Sequence, residues 1–259
     1  MIISENEPLA VTLVEAIRTG DVTGLQKLLA GNPGLAAARI IGGDTCNRNV
    51  SRTLLHVATD WPGHFPNSAA TVAELVKAGA EVNARITGLP HNETPLHWAA
   101  SSDDIEVLDT LFDVGADIEA SGAVIAGGTP LDDAVAFGQW KAAHRLVELG
   151  AAFTLWHAAA LGLLDDMEAH FAGTPLSRRY PWGASHNPPP DEVAVAFWCA
   201  CHGGQRHSAE YLLERGAELN WISVWDGLTP LDAALRSASD EVVQWLHNRG
   251  AKSAKELHR

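Results

Sequence analysis

Basic side chains are scarce in this sequence. Its 259 residues include 18 Lys and Arg against 32 Asp and Glu, which gives a formal net charge of -14 at pH 7. Phosphate binding requires clustered Lys and Arg, and an acidic field repels a polyanion. The composition therefore argues against nucleic acid as a partner, and it disfavours anionic membrane surfaces for the same reason.

Cysteine is also rare. The three cysteines, Cys46, Cys199 and Cys201, form neither a disulfide framework nor a zinc motif, because the single C-x-C has no second ligand pair. This pattern fits a reducing cytoplasm. The amino-terminal segment is acidic and lacks the basic and apolar regions of a signal peptide, and no apolar run approaches the length of a membrane span. We therefore expect a soluble, cytoplasmic protein that does not bind membranes.

Motifs of common catalytic and cofactor-binding folds are missing as well. The sequence contains no Gly-x-Gly-x-x-Gly, no P-loop and no Gly-x-Ser-x-Gly nucleophile elbow. His202 and His207 are close in sequence, but no His-Glu-x-x-His motif or carboxylate cluster accompanies them. Cys201 precedes His202, but adjacent residues on a helix point in different directions, so this pair is not by itself a thiol dyad. The sequence predicts no cofactor and no metal site.

The sequence does contain a repeated segment. Its best copy begins at Thr94 with the letters TPLHWAA and continues, through apolar residues at helical spacing, to Gly115. Thr94 and Pro95 are typical of a helix start, where the missing N–H of proline would be unpaired anyway. Gly115 is typical of the left-handed residue that ends a second helix. A unit this short cannot bury its own apolar face, so it has to stack on copies of itself.

Each copy resembles an ankyrin repeat. Clear copies begin at Thr53, Thr129 and Thr229, and weaker ones at Leu155 and Phe197. The resemblance implies an all-α ankyrin-repeat solenoid of about seven helix-pair units with irregular loop insertions, forming a single domain over residues 1–259. The predicted units are a cap at 9–36 and repeats at about 44–83, 90–119, 125–153, 154–190, 191–220 and 226–251. The predicted insertions are 37–52, 61–68 and 174–190.

The resemblance also implies which side chains line a concave groove. In ankyrin families the groove-lining residues are the one just after the motif His and the two before the Gly between paired helices. The alignment gives these positions to Asp60, Trp61, Trp98, Asp133, Phe137, His157, Trp198 and His202. Candidates on the projecting fingers and the long loop are His91, Trp182, Trp221 and Trp225. Grouped exposed aromatics are typical of binding sites, although some of these rings could instead cover apolar surface beneath the loops.

Some of these side chains are candidates for acid–base catalysis. His56 and His97 are explained by the motif, whose His bonds back to the turn. Asp60, Asp133 and His157 are the catalytic candidates, because a buried acid beside aromatic rings has a raised pKa and can donate or accept a proton. The alternatives are a helix cap or a solvated face for each Asp and a local hydrogen bond for His157.

Three functional hypotheses follow. The family resemblance implies a cytosolic protein that recognises a basic or neutral partner protein or peptide through an aromatic, acidic groove. Alternatively, the inserted loops close the groove into a pocket for a small apolar or aromatic molecule, with or without acid–base catalysis. A purely structural role is the third. An ankyrin stack is not usually catalytic, so a catalytic function would have to be argued from the site and not from the fold.

Overall fold

The computed structural model describes residues 1–42, 50–177 and 190–257. The chain divides into two compact units, Met1–Leu149 and Gly150–Arg259. Each unit is built mainly from short α-helices, and consecutive helices pack against each other in pairs. The division of the chain into about seven repeats within one domain stays a prediction.

The first unit contains four helix pairs among its described residues. Their bounds are α1 (Pro8–Thr19), α2 (Val22–Gly31), α3 (Leu54–Ala58), α4 (Ser68–Lys77), α5 (Pro95–Ser101), α6 (Ile105–Asp113), α7 (Pro130–Ala136) and α8 (Trp140–Glu148). A single 3-10 turn lies at Leu35–Ala37. The first helices of successive pairs contact one another, α1 with α3, α3 with α5 and α5 with α7.

Most of the described elements are helices, which supports the predicted all-α repeat fold, and the first unit also contains a small β-sheet. Strand β1 (Ile2–Ser4) pairs in parallel with β2 (Arg39–Ile41), which pairs antiparallel with β3 (Ser51–Thr53). Isoleucine is common in strands because its branched side chain packs well on a pleated surface. Ile3 and Ile40 are buried here. The strands β2 and β3 thus use the two ends of the segment predicted as an irregular loop at 37–52, whose residues 43–49 lie outside the described part of the chain.

In the first unit, threonine starts the helices α3, α5 and α7 by a reciprocal capping interaction. At α5, the Thr94 N–H donates to Nδ1 of His97 at 3.1 Å, while the Thr94 hydroxyl is 2.9 Å from the same nitrogen. Thr53 and His56 form the same capping box at α3. Such caps satisfy backbone groups that have no partner inside the helix.

The buried histidines also connect one repeat to the next. The Nε2–H of His56 donates to the Glu93 carbonyl at 3.1 Å, and that of His97 donates to the Gly128 carbonyl at 3.4 Å. Burial lowers the pKa of His56 to about 3 and that of His97 to about 4, so both rings are neutral at physiological pH. The structural role predicted for these two residues is confirmed.

The second unit repeats this organisation. Its helices are α9 (Leu155–Leu161), α10 (Leu164–Phe171), α11 (Glu192–His202), α12 (Arg206–Glu214), α13 (Pro230–Arg236), α14 (Asp240–Asn248) and the short α15 (Ala254–Leu257). Helix α11 packs between α9 and α13, and nine of its eleven residues are buried. In the described parts of both units, no helix is long and apolar enough to cross a bilayer.

Candidate functional site

A cavity of about 240 Å³ lies in the first unit, at the carboxyl ends of the first helices of three successive pairs. We call it the Trp98 cavity. Its walls are formed by Asp60, Trp61, Glu93, Trp98, Ser101, Ser102 and Phe137. Four of these residues, Asp60, Trp61, Trp98 and Phe137, are predicted site residues.

The repeat register explains why these side chains meet. The helices α3, α5 and α7 each begin after a capping threonine and end five to seven residues after it. Because the helices α3, α5 and α7 follow one another, equivalent positions lie side by side. The seventh and eighth residues after the capping threonine are Asp60 and Trp61 following α3, Ser101 and Ser102 at the end of α5, and Ala136 and Phe137 at the end of α7.

Trp61 is the most exposed large apolar side chain among those described, with 78% of its surface accessible. Its loop is held to the next repeat by two contacts. The His64 N–H donates to Oδ2 of Asp104 at 2.7 Å, and the His64 ring nitrogen Nε2 lies 3.0 Å from the Ser102 carbonyl. Gly63 has a φ of 73°, and a Cβ there would come within 2.8 Å of the Ser102 Cβ, so only glycine fits this approach.

Trp98 forms a second wall and is fixed by hydrogen bonding. Its indole Nε1–H donates to Oε2 of Glu93 at 3.1 Å. The edge of the indole also meets the ring of His56, with centroids 5.0 Å apart at 81°. Edge-to-face aromatic pairs of this kind favour one ring orientation.

Glu93 is a buried acidic residue on the cavity wall, and the repeat alignment does not assign it to the groove. Only 5% of its side chain is exposed. Besides accepting from Trp98, its Oε2 lies 2.7 Å from Nδ1 of His91, which forms an ion pair when His91 is protonated. Its carboxylate also interacts with the carboxyl group of Asp133. Glu93 thus brings the predicted residues His91, Trp98 and Asp133 together.

One feature of the sequence could have identified Glu93 as a site residue. It immediately precedes the capping Thr94, and the corresponding residues before Thr53 and Thr129 are Arg52 and Gly128. Arg52 also reaches the cavity wall, through Asp60. The residue before the capping threonine therefore lies beside the site in two successive repeats.

Asp133 is fully buried and does not itself line the Trp98 cavity. Its Oδ1 accepts from the Ile125 N–H at 3.2 Å. Burial, and after it the nearby charge of Glu93, raises the pKa of the Asp133 carboxyl to about 8. The group is therefore mostly protonated at neutral pH, which removes the charge repulsion between it and the nearby Glu93 carboxylate.

Asp60 is engaged by two cations from neighbouring segments. Its Oδ2 accepts from Arg18 at 2.8 Å and from Arg52 at 3.2 Å. Arg18 has 45% of its side chain exposed, whereas Asp60 has 21%. The acidic character of this wall is therefore largely balanced by the arginines.

The second unit holds another aromatic cluster, built from Trp198, Trp221 and Trp225. The Trp198 indole is buried and donates to the Leu228 carbonyl at 3.1 Å. Trp225 meets it edge-on at 5.0 Å, and Trp221 lies 5.5 Å from Trp225. His202 lies beside Trp198 at 5.5 Å, and its Nδ1 is 2.9 Å from the Ser237 hydroxyl.

The prediction that His157 lies on a groove position is wrong by one residue. His157 is the capping-box residue of α9, equivalent to His97, so the groove position is Ala158. The Thr154 N–H donates to its Nδ1 at 3.1 Å, and the residue is fully buried. The misalignment arises because Leu155 replaces the usual proline of the motif. Asp60, Asp133 and His157 therefore do not share one exposed surface, since Asp133 and His157 are both buried.

Trp182 lies outside the described residues. Cys199 and Cys201 are buried free thiols whose pKa values are raised by burial, so neither is a reactive thiolate. Within residues 1–42, 50–177 and 190–257, no group of three or more His, Cys, Asp or Glu side chains is arranged to hold a metal ion.

Comparison with known families agrees with the repeat pattern. A family model described as ankyrin repeats (3 copies) matches residues 13–122, which include the residues of the Trp98 cavity except Phe137. A search of curated proteins finds no match.

Proposed function

Because this chain belongs to the ankyrin repeat family, whose repeats generally mediate protein–protein interaction, we propose that it is a binding protein for a partner protein or peptide. The partner docks on the aromatic side chains Trp61, Trp98 and Phe137 around the Trp98 cavity. The observation that carries this proposal is the exposure of Trp61 and Phe137, at 78% and 47%, beside a preformed cavity.

Exposed aromatics of this kind are unfavourable in isolation. A large apolar side chain left in water forgoes about 1.5–3 kcal/mol of burial free energy. Trp61 is nevertheless presented on a loop that is tied to Ser102 and Asp104. Rigid tryptophan side chains are typical anchors of protein interfaces, because little conformational entropy is lost when a partner covers them.

The size of the cavity favours a partner side chain over a free small molecule. Pockets for drug-sized ligands usually measure about 300–1,000 Å³, and this cavity measures about 240 Å³. A volume below that range suits one inserted side chain. The alternative, a pocket for a small apolar or aromatic molecule, therefore receives less support.

Acid–base catalysis is supported still less. Asp133 lies behind Glu93 and off the cavity wall, Asp60 is held by Arg18 and Arg52, and the buried His157 serves as a helix cap. A general acid or base has to reach the reacting atoms within hydrogen-bonding distance. The geometry of these side chains suits recognition better.

The net charge of the chain indicates what charge the partner carries. The chain has a formal net charge of -14, so a neutral or basic protein is the expected partner, and nucleic acid is not. We also propose a reducing, cytosolic location, because Cys199 and Cys201 are free thiols.

Site-directed photo-crosslinking tests the proposal. A benzophenone amino acid replaces Phe137 in the full chain, and a second variant carries it at Phe171, an aromatic residue of similar exposure on α10. We expect discrete crosslinked partners from position 137 that are absent from position 171. Trp61→Ala in the first variant should remove these crosslinks.

Equal crosslinking from both positions, or crosslinks from position 137 that survive Trp61→Ala, would contradict the proposal. The thermal midpoint of each variant should be measured alongside, so that loss of a crosslink is not confused with loss of the fold. A thermal-shift screen with small molecules provides the comparison with the pocket hypothesis, because a ligand that binds only the native state raises the midpoint.

A further inference from the structure

Asp133 is an acidic residue at a position that equivalent helices give to apolar residues. The residue four places after the capping threonine is Val57 in α3, Trp98 in α5, Asp133 in α7, Ala158 in α9 and Ala233 in α13. Asp133 is as fully buried as Val57, Ala158 and Ala233 are. Burying a carboxyl group costs free energy that an alanine would not cost. Positions at which a sequence breaks its own structural pattern are expected to be functional or strained.

The surroundings of Asp133 suit a neutral carboxyl group. Its Oδ1 accepts one hydrogen bond, from the Ile125 N–H at 3.2 Å. Its Oδ2 is buried, and no donor in the described part of the chain is in hydrogen-bonding geometry with it. A buried carboxylate needs several donors or a cation to remain ionised. This geometry therefore favours a proton on Asp133, in agreement with its raised pKa of about 8.

Glu93 is the acidic neighbour of Asp133 and connects it to the Trp98 cavity. Its Oε2 accepts from the Trp98 indole at 3.1 Å and lies 2.7 Å from Nδ1 of His91. Two adjacent buried carboxyl groups repel each other when both are ionised. Glu93 lies on the cavity wall, whereas Asp133 is enclosed, so Glu93 is the member of the pair that can move towards solvent.

We infer that the proton on the Asp133–Glu93 pair controls whether the Trp98 cavity can receive the partner. With the proton in place, Glu93 stays inside the wall and holds the Trp98 indole in position for docking. When the proton leaves, the second negative charge drives the Glu93 side chain towards solvent and releases the indole. This inference rests on the proposed function and adds a pH-dependent regulation of the same site.

The other titratable or charged groups around the pair are largely occupied or neutral. They are Arg85 and His91 in the finger before α5, His97 in α5, Asp132 in α7, His56 in α3, and Asp60 with its partners Arg18 and Arg52. Arg85 donates to the carbonyls of Asn92 and Ser121, and Asp132 accepts from Thr129. His91 is the group that can mask the effect, because its protonated form pairs with Glu93.

The direction of the pH dependence follows from solvent access. A partner that covers the cavity removes water from Glu93, so the complex holds the proton more strongly than the free protein does. By linkage, docking is strongest at low pH and weakens as pH rises through about 8. The dependence involves one proton, so it is at most about tenfold per pH unit.

Fluorine NMR tests the switch without the partner. The full chain is labelled with 5-fluorotryptophan, and the Trp98 resonance is identified by its absence from Trp98→Phe. We expect this resonance to move between pH 6 and pH 9 with a midpoint near pH 8. The movement should be absent from Asp133→Asn and from Glu93→Gln, since each leaves a single ionisable group, and Glu93→Gln keeps an acceptor for the indole.

Matched variants separate the pair from its surroundings. Asp133→Ala, which places the residue of α9 and α13 at this position, should also abolish the movement. Asp113→Asn, at an exposed position on α6, should respond as the parent does. His91→Gln should retain the response near pH 8, which shows that the response does not come from His91.

Photo-crosslinking from position 137 tests the effect on docking. Between pH 7 and pH 9 the yield of crosslinked partner should fall about threefold to tenfold, because one proton is released. The same chain carrying Asp133→Asn should give a yield that does not change with pH. Thermal midpoints measured at both pH values show that the fold is intact.

Three results would overturn the inference. These are a Trp98 resonance that does not move between pH 6 and pH 9, a movement that persists in both Asp133→Asn and Asp133→Ala, and a crosslink yield that falls equally with and without Asp133→Asn. If crosslinks form from position 137 but their yield is independent of pH, only this inference is wrong. If no crosslink forms at any pH, the proposed function is wrong, and the role of the proton in docking is wrong with it.

Discussion

The indole nitrogen of Trp98 donates a hydrogen bond of 3.1 Å to the carboxylate of Glu93. Trp98 lies in the helix α5, whereas Glu93 lies in the preceding finger, just before the capping Thr94. The bond ties the aromatic wall of the cavity to the finger and gives the buried carboxylate a donor. A buried carboxylate without donors is strongly unfavourable, so the two residues stabilise each other.

Substituting Glu93 by Ala should destabilise the protein by about 1–3 kcal/mol, because Trp98 loses its acceptor inside the structure. Urea unfolding measures this change. Glu81→Ala, which removes an exposed carboxylate from the preceding repeat, is the control and should change stability by less than about 0.5 kcal/mol. If the two variants were equally stable, Glu93 would not hold the site together.

Asp133 should make the stability of the protein fall as pH rises. Its pKa is raised to about 8 in the folded protein from an ordinary value of 3.8, so its stabilising contribution is complete below about pH 4 and is lost as pH rises through 8. One such group changes the unfolding free energy by at most about 1.4 kcal/mol per pH unit. Asp133→Asn mimics the protonated carboxyl and should remove this dependence.

Urea unfolding of the parent and of Asp133→Asn at pH 5, 6, 7 and 8 tests the prediction. The difference in unfolding free energy should shift steadily in favour of the variant with increasing pH. Asp113→Asn, at an exposed position on α6, is the control. A constant difference between the parent and Asp133→Asn would show that the carboxyl is already ionised at neutral pH.

The buried histidines should produce a dependence of the opposite sign. The folded-state pKa of His97 is lowered to about 4 by burial, so the unfolded chain binds a proton below about pH 6.5 and the folded chain does not. Stability should therefore fall as pH drops from 6.5 towards 4. His97→Gln should reduce this slope by up to about 1.4 kcal/mol per pH unit, whereas His247→Gln, at an exposed position, should not. Equal slopes in both variants would contradict a neutral His97.

Trp61 and Trp156 should respond to alanine substitution in opposite ways. Trp61 is 78% exposed and Trp156 is 1% exposed. Trp61→Ala should change stability by less than about 0.5 kcal/mol and weaken partner binding by about 2 kcal/mol or more. Trp156→Ala should cost about 3–5 kcal/mol of stability, because a large buried side chain is lost. A large loss of stability in Trp61→Ala would indicate a packing role.

The sequence by itself determined the local order of the repeats. Helix starts at Thr53, Thr94 and Thr129 could be predicted because a capping box joins residues only three apart, and helix ends such as Gly115 depend on the conformation of a single residue. The placement of Trp61 and Phe137 at equivalent positions follows from the same register. Where the motif lacks its proline, as at Leu155, the sequence alignment shifts by one residue and assigns the groove position to His157 instead of Ala158.

Only the tertiary structure decided which of these residues meet and in what environment. Asp60 binds Arg18 across 42 residues of sequence, Glu93 interacts with Asp133 in the next repeat, and strands β1 and β2 pair although they are far apart in the chain. Such contacts depend on how far and at what angle successive helix pairs stack, which no local pattern encodes. Burial of Asp133, and with it the raised pKa, arises in the same way, because desolvation is a property of everything packed around the group.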